Sequence, residues 1–374
     1  MRVLFLISNM GPGGAERVMA QLVSHLSSRH DIRLVTLEAP GTPSFYRLPP
    51  SLDIAQLDLL HKSGILRRPL SILARFGAIR RQLTAFRPDV VISFMDTLNI
   101  MTAAVCFTAA TPVVISERID PAHHNIGVWK SLLRRLVYPL ADCCVVQTER
   151  VRRYFDRPPR VKVAVIPNPV QIPQQQANPA SPNAQGRFRI VALGRLEKQK
   201  GLDRLLDAFA ELAPSFPAWN LVMFGEGPAR AWLESRVMEL RLSDRVCLPG
   251  VTKNPADELA ASHIMAFPSR YEGFPNALAE ALAVGLPAVG FADVSGVEEL
   301  IVDNETGLLI DVADGRSTLA DVLKRLMSSA DLRSSLGARA RRHMENWRPA
   351  LIFEQWETLL ADIAKAKGSS DARN

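Results

Sequence analysis

The feature that most constrains this 374-residue chain is a repeated alternation of short apolar runs with longer helix-like stretches. Residues 3–8, 32–37, 90–94, 113–116, 143–147 and 163–166 are strand-like, with helix-like stretches at 15–28, 69–86, 98–109 and 128–138. Runs so short and so uniformly apolar suit parallel strands buried on both faces, and alternation with helices argues for an open parallel sheet covered on both sides. A second series follows at 189–193, 221–224, 246–248, 264–267, 288–291 and 307–310, with helices at 202–212 and 277–283 and a last one at 347–366. Between the two series, residues 171–186 are rich in Gln, Pro, Asn and Ser and read as a linker. The expected organisation is therefore an α/β chain of two doubly wound domains, 1–170 and 187–346, with the linker 171–186 between them and a terminal helix and tail at 347–374.

Composition narrows the class. Apolar residues make up 47% and charged residues 22%, which is ordinary for a soluble globular protein. The four cysteines, Cys106, Cys143, Cys144 and Cys247, show no metal-ligand spacing, and the pair at 143–144 reads as buried hydrophobes in a reducing compartment. Residues 3–7 are too short a run for a signal peptide, and 97–116, the longest uncharged run, is too broken by polar residues and Pro112 to make a bilayer span. Charge is uneven: residues 1–170 hold 22 Lys+Arg and 12 Asp+Glu, a net of +10, whereas 171–374 hold 23 and 26, a net of −3. A basic first half faces something anionic. Nucleic acid is disfavoured, because no binding motif is present and aromatics are only 6%. An anionic membrane surface or a diphosphate-bearing acceptor fits better.

The stretch 267–281 carries the densest chemistry. An apolar strand runs into a loop bearing Glu272 and Gly273, Pro275 falls where a helix should start, and Glu280 lies about a turn in. A helix N-terminus between two carboxylates suits an anion or a ring of sugar hydroxyls, although glutamates near a helix start are also common stabilisers. Gly11-Pro-Gly-Gly14 likewise joins a strand to a helix, and its glycines let backbone approach a ligand, or simply make a tight turn. Two basic helices stand out: one from residue 69, with Arg75 on it and Arg67 and Arg68 before it, and one at 129–138 with Lys130, Arg134 and Arg135. Each is either a solvated face or a site for lipid headgroups or acceptor phosphates.

The stretch from Glu272-Gly-Phe-Pro-Asn to Glu280 resembles the E-x7-E signature of retaining glycosyltransferases of the GT-B fold, family 4. The resemblance continues in Gly194-Arg-Leu-Glu-Lys-Gln-Lys-Gly201, Gly225-Glu-Gly-Pro228, Gly296-Val-Glu-Glu-Leu-Ile301 and Asp303-Asn-Glu-Thr-Gly-Leu-Leu309. It is looser in Gly13-Gly-Ala-Glu-Arg17 and Ile166-Pro-Asn-Pro169. What it implies is two Rossmann-like domains facing across a cleft, with the final helix crossing back to the first. It implies a hexosyltransferase that uses a nucleotide-sugar substrate and no separate cofactor. Arg195 and Lys200 would hold the donor diphosphate, Glu280 the ribose and Glu272 the donor-sugar hydroxyls. Backbone at Phe274, Pro275 and Asn276 would assist. Gly13, Gly14, Gly225 and Val251 would lie against the nucleotide or sugar.

The chain departs from the resemblance at residues 115–124. Many family members have a histidine in this loop, whereas here Glu117 and Arg118 take its place and His123 and His124 come later. Glu117, Arg118 and Asp120 are the candidates for acceptor contact, and both histidines read as surface loop residues. With no D-x-D in the chain, a metal is not indicated. The expected donor is a UDP-sugar, UDP-N-acetylgalactosamine first and GDP-mannose behind it, and the expected acceptor a lipid-linked glycan. The expected setting is a monomer in the cytoplasm, peripheral to the inner face of the plasma membrane. A nucleotide-sugar 2-epimerase on the same fold and a non-catalytic sugar-nucleotide-binding protein are the alternatives.

Overall fold

The computed structural model describes residues 1–60, 68–156, 158–313, 315 and 317–371, with 68–71 and 367–371 described by backbone alone. The chain divides into two units, one formed by Met1–Pro169 and Ala350–Asn374, the other by Val170–Pro349.

The first unit runs β1 (Arg2–Ile7), α1 (Gly14–Leu26), β2 (Asp31–Thr36), β3 (Asp53–Gln56), α2 (Arg68–Phe86), β4 (Val90–Phe94), α3 (Asp96–Thr108), β5 (Val113–Ser116), α4 (Val128–Val137), β6 (Cys143–Val146), α5 (Glu149–Tyr154) and β7 (Val163–Val165). Its strands form one parallel sheet in the order β3-β2-β1-β4-β5-β6-β7. Successive side chains leave a strand on opposite faces. Along β1, Val3, Phe5 and Ile7 therefore enter one core layer while Leu4 and Leu6 enter the other. Both layers are covered by helices, which is why the run is apolar throughout rather than alternating. The adjacent cysteines divide the same way, Cys143 to one layer and Cys144 to the other. Burial pushes both thiols up, that of Cys143 to about 11.

The second unit runs β8 (Phe188–Leu193), α6 (Leu202–Leu212), β9 (Trp219–Phe224), α7 (Arg230–Glu239), β10 (Val246–Gly250), α8 (Pro255–Ala260), β11 (Ile264–Phe267), α9 (Asn276–Ala283), β12 (Ala288–Phe291), α10 (Val297–Leu300), β13 (Leu308–Ile310), α11 (Leu319–Ser328) and α12 (Ala330–His343). Its sheet is parallel too, in the order β10-β9-β8-β11-β12-β13. In each sheet the strand order reverses between two neighbours, β1 and β4 in the first and β8 and β11 in the second. Loops leaving the carboxyl ends at such a point diverge to opposite faces and open a crevice for ligands.

The terminal helix α13 (Pro349–Asp371) sends Ile352, Phe353, Trp356, Leu359, Leu360 and Ile363 into the same core layer as α1. Spacing of three and four residues keeps them on one stripe. Glu357 ties the stripe's edge to α1, accepting from Arg29 at 2.7 Å and meeting His25 Nε2 at 2.9 Å.

Residues 171–186 are not a free linker. They are strapped to the second unit, mostly by arginines that donate to their backbone carbonyls. Arg341 reaches Pro173 O at 2.7 Å, and the amide of Ala177 donates to Val284 O at 2.8 Å. The buried Arg333 donates to Pro179 O (2.6 Å), Ala180 O (3.3 Å), Leu326 O (2.8 Å) and Met327 O (3.2 Å) while its guanidinium covers Phe188 and Trp219. Composition suggested a linker because these residues offer little to a hydrophobic core. Their carbonyls, which composition does not register, hold them, together with the packing of Ile172 and Ala177 on the core. Arg333→Met should leave those acceptors unpaired, cost the second unit about 3 kcal/mol or more, and expose 171–186 to limited proteolysis. An unchanged digestion pattern would contradict this role.

Candidate active site

The second unit brings its motifs together at the carboxyl ends of β8 and β11. After β8, the chain makes a short turn at Lys198–Lys200, and Gly201 (φ 64°) starts α6. A Cβ at Gly201 would lie 2.0 Å from Pro268 O, in the loop after β11. Only glycine accepts both that conformation and that approach. The two loops are then stitched along their length. The amide of Arg270 donates to Gln199 O at 2.8 Å, Gln199 Nε2 donates to Tyr271 O at 2.8 Å, and Arg270 Nη1 donates to Lys198 O at 2.7 Å. Arg270 also grips Asp203 with both terminal nitrogens, at 2.8 and 2.6 Å, and those hydrogen bonds hold the Asp203 carboxyl below its usual range.

On this platform Lys200 Nζ meets Glu272 Oε1 at 2.6 Å. Glu272 is buried and Lys200 mostly so, with its stem passing over Gly194. Residues 72 apart in sequence thus form a close cation–carboxylate contact at the reversal point of the sheet. Helix α9 begins at Asn276, so Pro275 is its cap and not its first residue, and no side chain caps it. Phe274 is in the core, so only its backbone is free to face a ligand, and Glu280 is partly buried one turn into α9.

The loop after β9 closes on the same place. A Cβ on Gly225 (φ 140°) would fall 1.9 Å from Gly194 O, and the Gly225 amide donates to Gly250 O at the end of β10. Val251, the next residue, is largely exposed. Arg195 is brought to the rim but not into the Lys200–Glu272 contact. Its side chain is 69% exposed and lies 3.6 Å from Glu197. A hollow of about 280 Å³ between α6 and α7 shares Lys198 and Asp203 with this platform and is otherwise lined mainly by Leu202, Trp232 and Leu233, and the motif carboxylates Glu272 and Glu280 are not among its walls. Among the described residues no group of three or more His, Cys, Asp or Glu is placed to hold a metal.

In the first unit, Gly13 and Gly14 start α1 at the carboxyl end of β1, as the strand–loop–helix pattern requires, and the carboxylate of Glu16 folds back over Gly13. The acceptor candidates turn out differently. Glu117 continues the β5 ladder, its amide donating to Val145 O, and its side chain is 1% exposed. It points into the unit, where Tyr138 OH donates to Oε2 at 2.8 Å and Arg134 lies 4.0 Å away. Loss of water outweighs Arg134 and lifts the Glu117 carboxyl from its ordinary 4.5 to about 7. Arg118 is also buried, its guanidinium 4.0 Å from the Phe94 ring and 5.8 Å from that of Trp356, and it donates to Asn168 at 2.9 Å. Burial lowers its pKa to about 9. Asp120 is spent on its own loop, accepting from the amide of Ala122 at 2.9 Å and from His123 at 3.0 Å. The side-chain group that does sit at the carboxyl end of β4 is Asp96, 3.2 Å from His124.

The basic helices need a matching correction. Arg134 is 4% exposed and donates to Tyr154 OH, so it is not on an exposed basic face. Arg75 is half-buried and donates to Leu59 O, and the side chain of Arg68, like Arg67, lies outside the described residues. Lys130 and Arg135 remain exposed.

Glu117 gives the unit a pH signature. Its folded pKa is raised, so the stability it contributes is fully present below about 4.5 and is lost as pH rises through about 7. Comparing urea unfolding of the wild type with Glu117→Gln, the wild type should lose ground to the variant over that window and no further above it. A pH-independent difference would refute the buried-carboxyl assignment.

Known proteins match both units. A family model described as Glycosyltransferase Family 4 covers residues 12–172, and one described as Glycosyl transferases group 1 covers 174–343. A relative from Campylobacter jejuni, named GalNAc-alpha-(1->4)-GalNAc-alpha-(1->3)-diNAcBac-PP-undecaprenol alpha-1,4-N-acetyl-D-galactosaminyltransferase, is 27% identical over 98% of this chain and 100% of its own. Among solved structures, sucrose-phosphate synthase from Thermosynechococcus elongatus aligns with a TM-score of 0.82 at 19% identity, covering 98% of this chain and 99% of that one. Anabaena Alr3699/HepE, solved in complex with UDP, aligns with a TM-score of 0.76 at 17% identity, over 97% and 100%. Matched in both halves by these models, the chain belongs to the family 4 glycosyltransferases and has the GT-B fold.

Proposed function

We propose that the chain transfers a sugar from a UDP-sugar, UDP-N-acetylgalactosamine first among them, to a hydroxyl of a lipid-linked glycan, with anomeric configuration retained. The observation that carries this reading is the Lys200–Glu272 contact at the carboxyl ends of β8 and β11. The name of the Campylobacter relative supports the acceptor class and the N-acetylgalactosaminyl donor, and the UDP complex of the Anabaena protein supports the nucleotide.

In this reading Lys200 and Arg195 neutralise the diphosphate, and their hold strengthens as charge grows on the departing oxygen. Backbone at the start of α9 supplies further donors. Glu280 accepts from the ribose hydroxyls and Glu272 from hydroxyls of the donor sugar, while Gly225 and Val251 lie against the nucleotide. The acceptor oxygen attacks from the face the nucleotide leaves, and the leaving phosphate oxygen takes its proton. This route needs neither a protein base nor a metal, in keeping with a Glu117 that is turned into the core. The lipid anchor of the acceptor sets the place of work at the cytoplasmic surface of an anionic membrane, with the protein acting as a monomer.

Without donor, Lys200 and Glu272 satisfy each other. Donor binding must part them, giving the cation to phosphate and the carboxylate to the sugar. Glu272→Gln should therefore bind free UDP about fivefold more tightly, the equivalent of about 1 kcal/mol released from a largely buried pair, yet transfer sugar more slowly. Isothermal titration showing weaker UDP binding in the variant would count against this exchange. Lys200→Ala should lower turnover by roughly 10²–10³-fold, as loss of one preorganised donor does. The whole reading is tested by incubating the protein with labelled UDP-sugars and a polyprenyl-diphosphate-linked glycan. A lipid-linked product whose new linkage keeps the donor's anomeric configuration by NMR supports it. An epimerised nucleotide sugar, an inverted linkage, or no product with any donor overturns it.

A further inference from the structure

Helix α4 is built inside out. Val128 and Trp129 are 84% and 79% exposed, and Leu132, Leu133 and Leu136 each leave about half of their surface in solvent. At about 100° per residue these five fall within an arc of roughly 140° on one side of the helix. The opposite side carries Arg134, which is held by Tyr154 OH at 2.7 Å and Glu117 at 4.0 Å, and runs on to Tyr138, which donates to Glu117 at 2.8 Å. A surface helix ordinarily turns its apolar stripe inward. Here the polar stripe is the anchor and the apolar stripe is left outside.

We propose that this arc inserts into an anionic lipid surface, with α4 lying in the plane of the interface. Three features choose that occupant. Exposed Lys130 and Arg135 border the arc on its two sides, where their stems can lie along apolar surface and their charges reach headgroups. No Asp or Glu occurs anywhere from residue 121 to 141, and residues 1–170 carry a net charge of +10, so nothing near the arc in sequence repels an anionic surface. Trp129, with its apolar body and single N–H, is suited to the headgroup boundary. A second copy of the chain is a poorer occupant, since a twofold contact through α4 would set these cations against their own images. Among the described residues no helix is long and apolar enough to cross a membrane, so the contact is interfacial. The inference rests on exposure, charge and helix geometry, and stands whichever sugar is transferred.

The test is flotation of the full-length protein with vesicles of phosphatidylcholine alone or mixed with phosphatidylglycerol. The wild type should float with the mixed vesicles. The triple variant W129A/L133S/L136S should partition at least about tenfold more weakly while keeping a cooperative melting curve, because about half or more of each replaced residue is already in solvent. The variant Lys130→Glu with Arg135→Glu should lose the preference for phosphatidylglycerol. Brominated lipids give a readout independent of variant folding: they should quench wild-type tryptophan fluorescence more than that of Trp129→Phe. Equal flotation of wild type and triple variant overturns the proposal, as does equal quenching of wild type and Trp129→Phe. A wild type that ignores vesicles but forms a dimer abolished by the triple variant would assign the arc to a second copy instead.

Discussion

Backbone meets backbone at two points that leave no room for a side chain, Gly201 against Pro268 and Gly225 against Gly194, and the site depends on both approaches. They bring the loops from β8, β9 and β11 closer than any Cβ would permit. The Arg270–Asp203 grip and the Gln199 hydrogen bonds then fix the spacing. On this platform a lysine and a glutamate distant in sequence sit 2.6 Å apart and largely out of solvent. Preorganisation of this kind spares the reacting state the cost of gathering its charges.

Much of this could be read from the residues. Strands covered on both faces are conspicuous, because every position must be apolar, and β1, β4, β5 and β6 all fall within a residue or two of where the pattern puts them. Helices with a glycine or proline at their start, such as α1, α6 and α9, were equally plain. Strand β3 escaped because Asp53–Gln56 is a partly exposed edge with little apolar character. The short α5 offered too few turns for a period to show. In the site, Lys200, Glu272 and Glu280 were marked by their motifs. Arg270 lies within the stretch 267–281, yet its part in holding Asp203 shows only when the two loops are side by side.

Periodicity separates two faces of a helix but does not say which face is turned inward. For α4 the usual assumption, apolar side in, gives the wrong answer, because Glu117 and Tyr154 supply the partners that make Arg134 the buried residue. Glu117 itself reads as a ligand because it takes the place of the histidine that many family members carry in this loop. Its amide, still paired to β6, keeps the chain in strand geometry for one more residue and so sends the side chain inward. Residues 171–186 were misjudged by the same omission, since carbonyl acceptors are invisible in composition.

The return of α13 to the first unit carries a consequence for how the protein is made. One core layer of the first sheet takes Trp356, Leu360 and their neighbours from the last helix, almost 200 residues beyond the end of β7. The ribosome therefore delivers that layer's missing wall last. Until it emerges, the nascent chain carries an open apolar face beside α1, while the second unit, contiguous in sequence, is free to complete itself first.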